Sequence, residues 1–145
     1  MPEQENLKEY MLKEISIIQD IIKRMANNSF MIKGWTITLV AVALLLKGSK
    51  HQVLIAFMPL LAFWFLDAYF LWQEKMYRRL YDWVISNRLK TDEYLFNMNA
   101  YRFKDSVQSK IRIMFSITLG WFYGLIAVLI ISYSIILFNL PKGGN

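Results

Sequence analysis

The sequence has no cysteine and a single histidine, His51. The first absence removes disulfides, thiolate metal sites and thiol catalysis, and the second removes a histidine metal cluster. There is no phosphate-cradling GxxxxGK and no GxSxG nucleophile elbow. Carboxylates such as Asp82, Asp92 and Glu93 have no partner histidine. No catalytic, cofactor-binding or metal-ligating residue is therefore expected, and the chain does not read as an enzyme. The start of the chain is also not a basic segment followed by an apolar one. It carries Glu3, Glu5, Glu9, Glu14 and Asp20, which argues against a signal peptide or a mitochondrial transit peptide.

What is present is apolar. Hydrophobic residues make up 56% of the 145 positions, against about 45–50% in ordinary soluble chains. They are clustered, and three blocks take up about half the length. The expected fold is an all-α integral membrane protein, with three transmembrane helices and long cytoplasmic helical extensions.

Residues 5–28 have the spacing of an amphipathic helix. Leu7, Met11, Ile15, Ile18, Ile22 and Met25 recur three or four apart, Ile17 and Ile21 widen the stripe, and Lys8, Lys13, Glu14, Asp20, Lys23 and Arg24 lie mostly off it. Such a helix packs on other cytoplasmic helices of the chain, lies in the lipid interface, or pairs with another protomer.

The first membrane block is 29–46. From Gly34 onward it has only 13 uncharged residues, too few for a hydrocarbon core about 30 Å thick at 1.5 Å per residue. The span must begin near Ser29, with Lys33 snorkelling or paired. A polar break at 47–51 suits a tight hairpin, and the second block is 53–72. Asp67 is its only charge, and Pro59 is a site for a kink. No breaker follows Trp72, so one helix over about 52–88 should leave the membrane. Glu74–Arg78 and Arg78–Asp82 have the spacing of helical ion pairs, and Met76, Leu80, Trp83 and Val84 form an apolar face. Residues 89–105, with Asn97 and Asn99 among aromatics, read as a packed turn or irregular segment. The third block, 113–140, has 28 residues without a charge, and its start is open between 113 and 119. This divides the chain into a cytoplasmic helix 1–28, a membrane hairpin 29–72, a cytoplasmic region 73–112, a third span 113–140 and a tail 141–145.

Lys and Arg counts give the orientation. Residues 1–33 hold five and residues 73–112 hold nine, whereas Lys47, Lys50 and Lys142 are the only three on the other side. The positive-inside rule places the N-terminus in the cytoplasm and the C-terminus outside an inner (plasma) membrane.

Three features are candidates for function. Lys33 and Asp67 fall at similar depth on adjacent spans, 13 and 14 residues from the hairpin ends, and form an intramembrane ion pair that is either structural or an ion or proton site. Ser116, Gly120 and Gly124 form a strip of small residues for close helix approach, either within the chain (against Gly34, Thr38 and Ala41) or between copies. Residues 73–112 carry nine basic and five acidic residues among aromatics. There Lys75, Arg78, Arg79, Arg102, Lys104, Lys110 and Arg112 are candidates for phosphates of anionic inner-leaflet lipid, or of a nucleotide or nucleic acid.

Three stretches together resemble small bacterial three-span membrane proteins: 28–46 with its MIKGWTITLV core, FWFLDAYFLWQEKMYRRLYDWV at 63–84, and FNMNAYRF at 96–103. The likeness extends to small membrane-disrupting effectors of bacterial phage-defence systems. It implies an oligomeric membrane protein acting by assembly, as a regulated pore or membrane-perturbing antiviral effector, and it assigns a role to no residue. The alternative is a non-conducting accessory or scaffold subunit that recruits a cytoplasmic protein partner. No cofactor is expected in either case.

Overall fold

The computed structural model describes residues 2–45 and 55–139. The polar break 47–51, the first residues of the 53–72 block and the 141–145 tail lie outside the described residues. All regular structure among the described residues is helical: α1 (Pro2–Leu45), α2 (Phe57–Asn87), a 3₁₀ helix (Ala100–Ser106), α3 (Lys110–Met114) and α4 (Ile117–Asn139). Two helices, α1 and α4, are long and apolar enough to cross a membrane. The chain divides into two compact units, one of Met1–Ser29 with Tyr69–Lys110 and one of Phe30–Ala68 with Ile111–Asn145.

The first unit is built on two helical stripes and a loop. From α2, Met76, Leu80 and Val84 are buried at four-residue spacing, as their helical periodicity predicts, while Trp83 is half-buried. From α1, Ile18 is fully buried and Met11, Ile15, Ile22 and Met25 are half-buried. Two positions depart from the expected stripe: Ile17 is exposed and Glu14 is inside. Glu14 stands three residues after Met11 and four before Ile18, so the helix carries it to the buried face whatever its charge. Glu74 pairs with Arg78 at 2.7 Å. The expected Arg78–Asp82 pair does not form, because Arg78 turns back toward the N-terminus of its helix to Glu74 instead.

In the second unit the core is a set of narrow seams. It takes Ile32, Thr36 and Val40 from α1, Leu60, Asp67 and Ala68 from α2, and Leu119, Tyr123, Ile126 and Ile130 from α4. Pro59 is the third residue of α2 and causes no interior kink, since the first turn has no intrahelical use for its missing N–H. The third apolar block is not one helix. It breaks after Met114, where the Trp64 Nε1–H donates to the Met114 carbonyl at 2.8 Å. Ser116 then opens α4, its carbonyl accepting the Gly120 N–H at 2.7 Å.

Candidate functional site

Charged and polar side chains are expensive to bury, so a site is sought where the fold does so. The most complete case is in the first unit and was not anticipated from sequence. Glu14 and Arg88, 74 residues apart, are both essentially inaccessible. The Arg88 Nε donates to Glu14 Oε2 at 2.5 Å and its Nη2 to Glu14 Oε1 at 2.9 Å. Nη1 donates to the carbonyls of Thr91 (3.0 Å) and Glu93 (2.9 Å), and Nη2 also reaches the carbonyl of Tyr94 (3.2 Å). All five guanidinium N–H groups thus have an acceptor. Glu14 Oε1 also accepts the Phe96 N–H at 2.8 Å.

The chain leaving α2 therefore wraps around one cation. Tyr94 and Phe96 sit at φ 58° and 54°, the left-handed region that side-chain-bearing residues avoid. Their strain is tolerated because the Tyr94 carbonyl and the Phe96 N–H are tied to the ion pair. Downstream, Asn97 and Asn99 accept from backbone N–H groups two residues on, and Asn99 caps the 3₁₀ helix. The one advance sign in the sequence is the charge at Glu14 within an apolar stripe. Nothing local identifies Arg88 as its partner.

Arg102 lies in an aromatic cage. Its guanidinium carbon is 4.4 Å from the Trp83 ring centre, 4.6 Å from Tyr94 and 4.9 Å from Phe103. Nε and Nη2 are buried without a hydrogen-bond partner. Burial pushes its pKa below the ordinary arginine value; neighbouring Arg88 adds to this, while Tyr94, Glu14 and Glu93 oppose it. The cation–π gain, about 0.5–2 kcal/mol, works against the cost of the unsatisfied donors, about 1–3 kcal/mol. Arg102→Met is accordingly expected to leave stability within about 1 kcal/mol of the parent. A thermal melt of the purified full chain checks this, and a collapse of the fold would show that the cage depends on the charge.

In the second unit, Lys33 and Asp67 meet. Lys33 Nζ is 2.6 Å from Asp67 Oδ2, with Asp67 fully buried and Lys33 partly so. The Tyr123 hydroxyl lies 3.0 Å from the same Oδ2 and 3.3 Å from the Phe63 carbonyl. Tyr123 stacks on Trp64, with ring centres 5.6 Å apart, and Lys33 lies over the Phe122 ring at 5.9 Å. Helix α4 thus contributes a phenol to a pair that the sequence assigned to two helices.

The small-residue strip does not pack inside the chain. A Cβ added at Gly34, Gly120 or Gly124 would meet nothing within 4 Å, so of the two alternatives for this strip the close approach to α1 is not seen among the described residues. The strip instead borders an open apolar groove of about 460 Å³ with Phe115, Trp121 and Leu125 on its walls. Ser116 is at the break before α4 rather than on the helix.

Of the seven basic residues, the six in the first unit do not form one surface. Lys75, Arg78 and Arg79 share a cleft of about 370 Å³ in the first unit with Asp82, Ser106 and Gln108. Arg102 is caged elsewhere, and Lys110 lies over Trp72 and Tyr69 at 4.7 and 5.6 Å. Lys104 is exposed, and Arg112 belongs to the second unit. No group of three or more His, Cys, Asp or Glu among the described residues is placed to hold a metal. No family model, curated protein or solved structure matches the chain.

Proposed function

We propose that this is a three-span inner-membrane protein that performs no chemistry of its own and acts by assembling with copies of itself. Its N-terminus is cytoplasmic and its C-terminus outside. The observation that carries this reading is the surface of the second unit. Only 17% of the most apolar stretch of α4 is buried, and 22% of that of α1, whereas the core helix of a soluble protein is mostly buried. Phe30, Trp35, Met58, Phe65, Trp121 and Leu125 all face outward. Water would penalise that surface and lipid would not. The remaining span, the second along the chain, comprises the apolar half of α2, whose single carboxylate is neutralised by Lys33. The first unit presents Lys8, Lys13, Asp20, Lys23, Arg24 and Arg79 at its surface, suited to the aqueous side. Fourteen of the seventeen Lys and Arg residues fall on that side in this orientation.

Assembly is supported by the open groove at Gly120 and Gly124, because lipid-facing helices associate by close packing at small residues. Gly120→Ile tests this, since a Cβ added at Gly120 meets nothing within 4 Å in the protomer. The parent is expected to crosslink as an oligomer in nanodiscs, and the variant to shift to monomer while keeping its helicity. A monomeric parent would remove the assembly reading.

A second reading, a non-conducting anchor that recruits a cytoplasmic protein, has its own support. The hydroxyls of Thr36 and Thr38 donate to the Ile32 and Gly34 carbonyls of their own helix at 2.8 and 3.0 Å, leaving little to line a water path. Ion flux from liposomes carrying the purified protein separates the two. Flux supports the regulated pore or antiviral effector, and its absence across conditions supports the anchor.

A further inference from the structure

We infer that the cleft formed by Lys75, Arg78, Arg79 and Gln108 is a phosphate site, occupied by the headgroup phosphate of an anionic membrane lipid. The inference rests on the membrane reading above for the source of the phosphate, and on the cleft alone for its chemistry.

The cleft has two walls. One is a face of α2, where Lys75, Arg78, Arg79 and Asp82 recur at helical spacing. The other is the segment leaving the 3₁₀ helix, with Ser106 and Gln108. Lys75 Nζ donates to Gln108 Oε1 at 3.4 Å across it, which brings the lysine ammonium and the Gln108 amide together on the cleft.

The donors there are held but not consumed. Glu74 accepts from both Nε and Nη2 of Arg78 through one oxygen, at 2.8 and 2.7 Å, which fixes the guanidinium and leaves Nη1 to donate elsewhere. Arg79 pairs with no carboxylate among the described residues, and Lys75 has only a neutral partner. Ser106 donates its proton to the Phe103 carbonyl at 2.7 Å, so the donors on offer are those of Lys75, Arg78 and Arg79. Asp82 is the single carboxylate on the cleft wall, against three cations. A planar guanidinium held in place beside a mobile ammonium is a combination that binds phosphate oxygens well. A volume of about 370 Å³ accommodates a phosphorylated headgroup.

Position along the chain favours a lipid as the source. Lys75 and Arg79 follow Trp72, the end of the second apolar block, by three and seven residues, and Gln108 precedes the third block by five. Basic residues immediately cytoplasmic of a span lie at headgroup depth, where each is worth about a fivefold gain in binding to anionic lipid.

The test uses the full chain in detergent with equimolar phosphatidylglycerol and phosphatidylcholine, read by native mass spectrometry. The parent should retain phosphatidylglycerol preferentially. Lys75→Gln/Arg79→Gln, both exposed positions, should lower that retention on the order of twentyfold. Lys8→Gln/Lys90→Gln, an equal charge loss at other exposed sites, should leave it within about twofold. Equal retention by both double variants would overturn the site. A parallel titration with inorganic phosphate and with ATP addresses the source. Binding of either at the parent, lost in Lys75→Gln/Arg79→Gln and without any lipid preference, would overturn the lipid assignment while upholding the phosphate chemistry. The membrane reading fails separately, if the chain stays monodisperse in buffer without detergent; phosphate binding is then measured in that buffer.

Discussion

Glu14→Ala is expected to destabilise the first unit by about 3–5 kcal/mol, because it leaves a buried guanidinium without its counter-ion. Arg88 has no accessible surface and cannot turn to water. The loss should appear first in the loop after α2, since the Phe96 N–H loses its acceptor and the left-handed Tyr94 and Phe96 lose their ties. Hydrogen exchange by mass spectrometry, on peptides covering residues 88–99 of the full chain, is the measurement. Protection there should fall well before that of α4. Replacing both partners, as Glu14→Leu/Arg88→Met, removes the buried charges but should recover only part of the stability. The carbonyls of Thr91, Glu93 and Tyr94 would still be without the donors that Arg88 supplies. Full recovery in the double variant would show that the loop does not depend on the guanidinium.

The second pair should behave differently. Asp67→Ala removes the carboxylate paired with the Lys33 ammonium and one acceptor of the Tyr123 hydroxyl. An unpaired cation at the centre of a span costs about 2.5–3.5 kcal/mol on insertion scales, and less near an interface. Asp67→Ala and the milder Asp67→Asn are expected to reduce membrane-fraction yield and to lower the melting temperature in detergent. Lys33→Met/Asp67→Leu should restore both, because it removes the two charges of the pair together. Tyr123 keeps the Phe63 carbonyl within 3.3 Å. A double variant as poor as Asp67→Ala would point to a role for the charges beyond holding helices together, such as an ion or proton path. Yield, melting temperature and flux, measured on the same set, separate those outcomes.

The contrast between the pairs shows why one was legible in advance and the other was not. Lys33 and Asp67 are isolated charges in long apolar runs, at matching distances from a short break. The cost of leaving either unpaired is enough to predict their partnership. Glu74–Arg78 is similar, being a matter of helical spacing alone. Glu14 and Arg88 are each one charge among many in basic and acidic stretches, and their meeting depends on which face of α1 packs against the end of α2. The cage around Arg102 has the same origin, since Trp83, Tyr94 and Phe103 are brought together only by the path of the loop.

Sequence by itself determined the helical periodicity, the absence of a break after Trp72 and the pairing of Lys33 with Asp67. These follow from turn geometry and desolvation cost, which act over a few residues or on a single buried charge. Tertiary structure decided the rest. It broke the third apolar block at Met114, where a distant indole takes a backbone carbonyl. It divided the basic residues between a cleft, a cage and aromatic faces. It left space beside Gly120 and Gly124 within the protomer. In each case the outcome depends on groups tens of residues apart competing for the same donor, ring or surface, and a pattern of residue types along one chain does not rank those competitors.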